Sequence, residues 1–471
     1  MNKSILNNLS FSFVAQILSV IVSLIFSLGI TKVLDVENYG YWQLFILYSN
    51  YAGFFHLGIC DGLYLKLGGR KLERINQFNF TNQLSFFLIF EILVSILFLL
   101  GLFVTTADPI KFHLLLFIVP YIIIANVQTY LSYVLLATNK IEVYSKSVFI
   151  EKIFIIVILI LLFFLKKIEV NVLIYVYLLA KTFSILYLVF QIRSVVESKG
   201  FLNYRVINLR MLWKYALIGI PLMFSNILST LLIGSNRLLT ENKYGIIAFS
   251  KLSFSISLVF LFIVFVSQLG IVLFPLLRRM NNENRKLVFY WINNNLTLLF
   301  IFCMLFYYPL VEFVKYFVPN YYESTRYLSL MLPICIFEGK FQILYNTMYK
   351  VLKKQKTIFI LNLLSLVISI ALTYTALFWF DSIIFSIYTL VIIIVLRSIL
   401  SEIMLYRFLK MNKYNLIGEA LVMTLFFIII NLQCTFWISF ICYFSLLVTY
   451  ILVKYFRNEI NFKFNPINSK N

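Results

Sequence analysis

Three lysines lie inside long apolar segments of the chain, where charged side chains are unusual. They are Lys181, Lys251 and Lys340, and Arg237 lies at the end of another such segment. A charged side chain at the bilayer centre costs about 2.5–3.5 kcal/mol on insertion scales, so each should face a wet cavity or a partner. Because charge-assisted contacts to phosphate strengthen where water is scarce, these cations predict a cavity for a phosphate-bearing substrate.

A stripe of polar residues occupies one face of a predicted helix. Gln342 lies four residues after Glu338, and Tyr345 and Asn346 lie three and four residues after Gln342, so their side chains share that face. We expect the stripe to line the cavity. Lys340 lies two residues after Glu338, so it points elsewhere and needs a different partner. If Lys340 also lines a cavity, the substitution Lys340→Leu should leave folding intact.

Polar positions on other segments complete the predicted cavity. Gln16 and Asn226 lie in polar stripes of two further helices, and Glu91 is a second carboxylate inside an apolar run. The four cations outnumber Glu91 and Glu338, so the cavity should carry net positive charge. No catalytic motif, metal-ligand spacing or cofactor motif is present. We expect the five cysteines to be small buried hydrophobes.

The elements that must position these residues are membrane helices. The chain has 471 residues, of which 62% are hydrophobic and 13% charged, whereas a soluble protein is about 45–50% apolar and about 25% charged. A spanning helix needs roughly 20 apolar residues, so the length allows about 14. Continuous apolar runs exclude a transmembrane β-barrel. The predicted helices are 8–31, 42–65, 80–104, 112–137, 146–165, 170–192, 213–236, 245–274, 289–317, 326–350, 357–379, 383–406, 415–433 and 435–456.

The distribution of basic residues sets the predicted orientation. The net charge is +21, and most Lys and Arg residues fall in alternate connections between the predicted helices. Cytoplasmic loops carry such an excess, so both termini are expected in the cytoplasm. This placement accounts for the positive charge as anchoring at the membrane face and excludes a nucleic-acid-binding function.

Two similar segments indicate an internal duplication. The segment Arg237–Lys251 is similar to Lys32–Gly40, with Tyr39 aligned on Tyr244. Basic inner loops recur at a similar separation. We therefore expect two six-helix bundles with the same orientation, related by an axis along the membrane normal. The predicted divisions are an N-terminal bundle at 1–195, a cytoplasmic linker at 196–212, a C-terminal bundle at 213–410, and two additional helices with a cytoplasmic tail at 411–471.

Several short motifs along nearly the whole chain carry a resemblance to a known family. They are Lys32–Gly40, Trp213–Leu222, Asn236–Arg237, Tyr244–Gly245, Phe274–Arg278 and Tyr321–Ser324. On these residues the chain resembles the polysaccharide repeat-unit flippases, the Wzx-type exporters of O-antigen and capsule, in the MATE-like MOP exporter superfamily. Asn236 departs from the pattern, because many relatives carry Asp there.

The resemblance implies an all-α polytopic fold of about 14 helices, with a V-shaped cavity between two bundles. It implies a bacterial cytoplasmic-membrane protein that moves an oligosaccharide on undecaprenyl pyrophosphate to the outer leaflet by alternating access. It implies as partners the lipid bilayer, a polysaccharide polymerase and the chain-length machinery. Transport would be coupled to a proton, a sodium ion or the membrane potential, with Glu338 as the preferred carrier and Glu91 as a second coupling residue.

Two other functions compete with this interpretation. A multidrug or ion antiporter of the same superfamily would favour an acidic cavity, and the first predicted helix contains no carboxylate. A membrane polymerase or glycosyltransferase would need a large outer loop with catalytic residues, and the predicted outer loops are short. The sequence therefore favours a flippase that is not an enzyme.

Overall fold

The chain is helical throughout the part that the structure describes. The computed structural model describes residues 25, 28–69, 72, 75, 77–105, 108–165, 169–193, 209–411 and 436–456. No strand occurs among these residues, and short turns join the helices. The predicted helix 415–433, most of the predicted helix 8–31, and Gln16 lie outside the described residues.

The chain divides into two compact units, Met1–Gly234 and Ser235–Asn471. The boundary falls inside one long helical segment, which begins in the first unit and ends in the second. The helices are α1 Val36–Ser49, α2 Ile59–Leu67, α3 Gln77–Thr105, α4 Pro109–Ala137, α5 Ile141–Leu165, α6 Val170–Ile192, α7 Leu209–Arg279, α8 Asn282–Cys303, α9 Tyr307–Phe317, α10 Ser324–Lys340, α11 Asn346–Val351, α12 Gln355–Phe378, α13 Ile383–Leu409 and α14 Phe436–Phe456.

Within the described ranges, nine helical segments are long and apolar enough to cross a membrane. The predicted class, an all-α polytopic membrane protein, is confirmed. Large apolar side chains cover the outside of these helices; Leu97 and Phe103 of α3 are each about two-thirds exposed. Side chains of this type are stable on the outside of a protein only where lipid is the solvent.

The second predicted helix, 42–65, is broken. α1 ends at Ser49, a short 3₁₀ turn follows at Ala52–Phe54, and α2 begins at Ile59. Leu57 and Gly58 both have positive φ values, 46° and 76°. Such values end a right-handed helix, because every residue of that helix needs a negative φ. The apolar pattern continues across the break, so hydropathy alone does not reveal it.

Glycines bring α2 close to the beginning of α7 within the first unit. A Cβ on Gly62 would lie 1.9 Å from the Tyr215 carbonyl oxygen, and a Cβ on Gly219 would lie 1.9 Å from the Gly58 carbonyl oxygen. The spacing of Gly58 and Gly62 is the small-residue pattern that lets membrane helices approach closely. This crossing fixes α2 against α7 directly after the break.

The predicted helices 213–236 and 245–274 form one helical segment, α7, interrupted only at Gly245 (φ 79°, ψ −176°). The predicted turn at 237–244 is therefore helical, and the change of direction occurs at Gly245. That backbone conformation is essentially restricted to glycine. The helix persists to Tyr244 because the intervening residues include no glycine or proline.

The predicted helix 326–350 contains a π-helical segment, Phe341–Tyr345, between α10 and α11. One turn of π-helix inserts an additional residue and rotates everything that follows. The single face predicted for Glu338, Gln342 and Tyr345 is therefore divided. Gln342 Nε2 still donates to Glu338 Oε1 at 2.9 Å, whereas Tyr345 contacts other partners.

Candidate substrate and coupling residues

Lys181 in α6 lies in a polar and aromatic cluster of the first unit. Its Nζ is 3.4 Å from Glu151 Oε1 and donates a 3.0 Å hydrogen bond to Gln128 Oε1. It also lies over the rings of Tyr121 and Tyr177, 5.8 and 5.3 Å from their centroids. Gln128 Nε2 donates to Glu151 at 2.7 Å, so the amide bridges the ion pair. The ring faces add cation–π attraction to the Coulomb interaction.

The aromatic side of this cluster extends to α1. The Tyr121 and Tyr177 rings are nearly parallel, with centroids 6.0 Å apart and an interplanar angle of 14°. Phe45 and Trp42 meet the edge or face of Tyr177 at 6.1 and 5.9 Å. Three helices, α1, α4 and α6, thus contribute to one aromatic wall beside Lys181. A wall of this kind packs well against the apolar face of a sugar ring.

Glu91 lies in α3 of the same unit and is fully buried. Its Oε2 accepts a 2.8 Å hydrogen bond from Asn126 Nδ2, which also donates to the Ala52 carbonyl at 3.1 Å. His56 lies in the break between α1 and α2, and Asp61 lies in the first turn of α2, with 3.7 Å between His56 Nε2 and Asp61 Oδ2. One group of buried polar side chains in the first unit therefore lies next to this break.

In the second unit, Glu338 of α10 forms a buried ion pair with Arg397 of α13. Arg397 also donates to Asn362 Oδ1 at 3.3 Å and lies over the Phe341 ring, with 4.0 Å from Cζ to the ring centroid. Removing either partner of this pair would leave the other as an unpaired charge in a low dielectric.

Lys340 forms a second buried ion pair between the same two helices. Its Nζ is 3.3 Å from Glu402 Oε2, and neither side chain is more than 2% exposed. Tyr345 OH and Asn293 Nδ2 also donate to Glu402, at 2.5 and 2.8 Å. The prediction that Lys340 needs a partner other than Glu338 is confirmed. The structure favours the alternative that Lys340 forms a structural ion pair. Lys340→Leu would leave Glu402 without its cation, so we expect the substitution to disturb folding.

Arg237 and Lys251 lie in the part of α7 that belongs to the second unit. Arg237 precedes the bend at Gly245, and Lys251 follows it. Lys251 Nζ is 2.5 Å from Glu323 Oε2, just before α10. The hydrogen bond from Lys251, followed by its charge, holds the pKa of Glu323 below its ordinary value. Arg237 is buried; its Nε donates to Ser253 Oγ at 3.0 Å, and its guanidinium lies 5.0 Å from the Phe249 ring centroid.

These pairs correct the predicted charge balance. Lys181, Lys251 and Lys340 each face a carboxylate, so these three lysines do not form the net positive set that was expected. Sequence reasoning missed Glu151 and Glu323, because one lies near a predicted helix end and the other in a predicted loop. The sequence did contain a signal for these two residues, because each is a glutamate next to an apolar segment.

The remaining predicted residues are separated. Asn346 follows the π-helical segment, and its side-chain oxygen has no hydrogen-bond partner among the described residues. Asn226 lies in the part of α7 that belongs to the first unit and is partly exposed. Gln342 contacts Glu338, as the predicted stripe requires. Whether these side chains bind substrate stays a prediction.

A cavity of about 500 Å³ lies in the first unit where α1, α4 and α6 begin. Tyr41, His113 and Glu169 are among its polar lining residues. None of the predicted substrate or coupling residues that the structure describes lines it. Among the described residues, no group of three or more His, Cys, Asp and Glu side chains could bind a metal ion.

The helix order resembles that of solved membrane transporters. A MOP superfamily transporter from Pyrococcus furiosus matches with a TM-score of 0.64 and 11% identity, over 86% of this chain and 95% of that chain. A multidrug resistance MATE family transporter of the MOP superfamily matches in its outward-facing conformation with a TM-score of 0.58, and in its inward-facing conformation with 0.57. Both of these share 12% identity with this chain, over 86% of this chain and 94% of theirs.

This chain has the MOP transporter fold. At these identities the likeness concerns the fold alone, and it confirms the predicted MATE-like fold class. No protein-family model matches the chain, and no curated protein matches its sequence. The fold leaves the transported molecule to be argued from the residues.

Proposed function

We propose that this protein is a transporter that flips an oligosaccharide linked to undecaprenyl pyrophosphate. The substrate moves from the cytoplasmic to the outer leaflet of a bacterial inner membrane by alternating access, and both termini lie in the cytoplasm. The MOP fold supports transport as such. The substrate rests on one observation: Lys181 and Lys251, which lie in apolar helical segments, are each paired with one carboxylate.

The lysine–carboxylate pairs suit an anion that must be bound and then released. In the resting protein each carboxylate keeps its lysine charged and neutralises it. A pyrophosphate carries more negative charge than one carboxylate, so it can compete for the ammonium group by Coulomb attraction. When the anion leaves, the ion pair between the lysine and its carboxylate forms again. Lysine suits such exchange because it offers a point charge without a rigid fork.

Two of the pairs have the exposure that this exchange needs. The Lys251 side chain is 26% exposed and that of Glu323 is 75% exposed, so an anion can reach this ammonium group. The Lys181 side chain is 12% exposed and adjoins the aromatic wall of Tyr121 and Tyr177. We assign Lys251 to the pyrophosphate and the Lys181 cluster to sugar rings. Lys340, which is fully buried, then has a structural role.

A multidrug antiporter is the second candidate. Solved proteins with this fold include a multidrug resistance MATE transporter, and a carboxylate beside aromatic rings, as at Glu151, also suits an organic cation. The binding pocket of the Pyrococcus furiosus transporter is described as having reverse polarity. The charge of the substrate must therefore be tested directly.

The test compares lipid-linked sugar in cells that lack the protein with cells that carry variants. In the deletion strain, lipid-linked oligosaccharide should accumulate on the inner leaflet, and the wild-type chain should clear it. Lys251→Ala should fail to clear it while reaching the membrane at normal levels. Lys315→Ala is the matched control, because Lys315 also pairs with one glutamate, Glu312, but at an exposed helix end.

The outcomes separate the candidates. Accumulation on the outer leaflet instead would indicate a polymerase, which acts after the flipping step. Normal sugar distribution together with increased sensitivity to cationic drugs would support the antiporter. Full clearance by Lys251→Ala would contradict the assignment of this lysine to the pyrophosphate.

A further inference from the structure

The cavity of about 500 Å³ in the first unit has no part in the exchange proposed for the lysines. Three helices begin around it. Asn38 and Tyr41 come from the first turns of α1, His113 comes from α4, and Glu169 immediately precedes α6. The volume lies in the range of small-molecule sites, about 300–1,000 Å³. The first unit therefore has a space, held by three helices, that is large enough for a small ligand or for one end of a longer one.

One part of the cavity lining is apolar or aromatic. Leu114 and Val170 are buried and contribute aliphatic surface, and Tyr41 and His113 contribute rings. The His113 ring packs edge-on against Phe117, with 5.2 Å between the ring centroids and an interplanar angle of 87°. That contact holds the imidazole in place beside the cavity. A ligand with an apolar face can pack against this part of the lining.

The other part of the lining forms hydrogen bonds. Asn38, Asn171 and Glu169 line the cavity and are exposed, so a ligand can reach them. Each amide both donates and accepts, and the carboxylate accepts. The other two helices are capped by carboxylates, since Asp35 accepts from the start of α1 and Asp108 from the start of α4. Glu169 makes no such capping bond to α6, so its carboxylate is available to a ligand in the cavity.

The charge of the cavity differs from that of the site proposed for pyrophosphate. Within the described ranges no Lys or Arg lines it, and Glu169 gives it a carboxylate. Such a lining repels a pyrophosphate or an acidic sugar. A neutral or amino sugar matches it, because the hydroxyl groups at the edge of the ring bond to amides and a carboxylate while the C–H face packs on aromatic rings.

The helices that form the cavity also carry the aromatic wall assigned above to sugar rings. Tyr121 lies seven residues after Leu114 in α4, and Tyr177 lies seven residues after Val170 in α6. At a rise of 1.5 Å per residue, the wall is about 10 Å further along both helices than the cavity. In the proposed orientation the cavity is nearer the outer face of the membrane. The first unit thus offers two places for sugars, one after the other along the same helices.

We propose that this cavity is a second carbohydrate-binding site, which holds a neutral or amino sugar of the transported oligosaccharide near the outer face. Its binding residues are Asn38, Tyr41, His113, Glu169 and Asn171. The attachment of that sugar to a lipid carrier rests on the proposed function, whereas the binding of the sugar itself follows from the lining. No covalent step is involved, and the carboxylate of Glu169 selects against acidic sugars.

The first measurement locates a bound sugar by saturation-transfer difference NMR, with free N-acetylglucosamine as the probe and the full chain in lipid nanodiscs. Asn171→Trp fills the cavity from an exposed position, and Tyr41→Ala removes a ring from its lining, so each should reduce the sugar signal severalfold. The matched controls Asn320→Trp and Tyr316→Ala change exposed residues in and after α9 and should leave the signal unchanged. An equal signal in Asn171→Trp and the wild type, or no signal above that of empty nanodiscs, would overturn the proposal.

The second measurement tests the charge of the cavity by comparing glucosamine with glucuronic acid at a pH where they carry opposite charges. The wild-type chain should bind glucosamine severalfold more tightly, because Glu169 attracts its ammonium group and repels the carboxylate of glucuronic acid. Glu169→Gln should bring the two affinities together, and Glu312→Gln at α9 should not. Tighter binding of glucuronic acid by the wild type would contradict the assignment. Tighter binding of tetraphenylphosphonium than of either sugar, lost in Asn171→Trp, would make the cavity a site for organic cations instead.

Both measurements use free sugars, so a failure of sugar binding and a failure of flipping can be told apart. Sugar binding in the cavity, without accumulation of lipid-linked sugar in the deletion strain, would support this site and contradict the flippase. Accumulation without sugar binding in the cavity would overturn this site and leave the flippase standing. If both hold, Asn171→Trp should clear lipid-linked sugar more slowly than Asn320→Trp.

Discussion

Lys340 and Glu402 show at the scale of single residues how a charge is accommodated at membrane depth. Replacing Lys340 by leucine leaves Glu402 buried with two hydrogen-bond donors and no cation. Breaking a buried pair from one side costs about 3–5 kcal/mol. We expect Lys340→Leu to lower the midpoint of thermal unfolding in detergent and to reduce expression.

The double variant Lys340→Leu/Glu402→Leu provides the control. It removes both charges together, and apolar replacement of a whole pair is often neutral or better, so much of the lost stability should return. Lys315→Leu, which affects an exposed pair, should change little. A single variant as stable as the wild type would mean that Lys340 is hydrated and available to substrate.

The sequence located the charged residues of the site but not their partners. A charged residue within an apolar run can be recognised from the sequence alone, and this identified Lys181, Lys251 and Lys340. Glu402 is 62 positions from Lys340, and Glu151 lies one helix before Lys181. Which carboxylate faces which lysine depends on how helices pack, and local spacing contains no information about it. The predicted excess of positive charge failed for this reason.

At the scale of elements, the crossing of α2 and α7 depends on glycines. A Cβ on Gly62 would lie 1.9 Å from the Tyr215 carbonyl oxygen, and backbone atoms cannot move aside as a flexible side chain can. We expect Gly62→Ala to reduce the yield of folded protein and to lower its unfolding midpoint. Overpacking of this kind typically costs about 1–3 kcal/mol, and occasionally more.

Gly101→Ala is the matched control for that crossing. Gly101 lies in α3, also within an apolar helix, and a Cβ there would meet no atom within 4 Å. Alanine in place of a helical glycine should be neutral or slightly stabilising. Equal losses in Gly62→Ala and Gly101→Ala would indicate that the crossing is looser than the structure has it.

A pH-dependent contact joins the bend of α7 to the loop before α13. Tyr244 OH and Lys243 Nζ both contact Asp381 Oδ1, at 2.8 and 3.1 Å. The hydrogen bond from Tyr244 is the largest cause that holds the pKa of Asp381 below its ordinary value, followed by Lys243. A carboxyl with a lowered folded pKa stabilises the fold above its ordinary pKa, and that contribution disappears as the pH falls through the lowered value.

At neutral pH the Asp381→Asn variant should therefore behave like the wild-type protein in acid, where Asp381 is protonated. We expect faster amide exchange around residues 243–247 in Asp381→Asn than in the wild type at pH near 7, and equal rates once the wild-type carboxyl is protonated. Glu312→Gln, at another exposed pair, should leave this segment unchanged. A difference that persists after protonation would assign the effect to something other than the charge of Asp381.

Helix positions were predictable to the extent that apolar runs end where helices end. The helices α6, α12 and α13 begin and end close to the predicted bounds. The break between α1 and α2 was missed, since it lies within a continuous apolar run, and the contact of Gly58 and Gly62 with α7 is a tertiary feature that hydropathy does not show. The π-helical segment at Phe341–Tyr345 was missed for a similar reason, because an additional residue in one turn leaves no trace in hydropathy.

At the scale of the whole molecule, the fold was more predictable than the function. Composition and the number of apolar runs already required a polytopic helical membrane protein, and the MOP transporter fold covers 86% of the chain. The fold is shared by transporters that are 9–12% identical to this chain, and a pocket's charge is set by a few side chains. The substrate must therefore be inferred from pairs such as Lys251–Glu323.

The Lys251–Glu323 pair gives a transport experiment whose sign depends on the substrate. Glu323→Gln removes the carboxylate that competes with substrate for Lys251 and leaves the ammonium group in place. For a pyrophosphate-linked substrate in proteoliposomes, the apparent KM should fall severalfold, since an exposed pair is worth about 0.2–1 kcal/mol and tenfold corresponds to about 1.4 kcal/mol.

For a cationic drug the same substitution should raise the apparent KM, because it leaves a lysine uncompensated on the path of the substrate. Glu312→Gln, which frees Lys315 at an exposed helix end, should alter neither value. The charge-assisted contact that binds the anion also slows its release, so kcat should fall together with KM if release limits turnover. An unchanged KM for both substrate classes would show that Lys251 lies off the path and would leave the Lys181 cluster to bind the substrate.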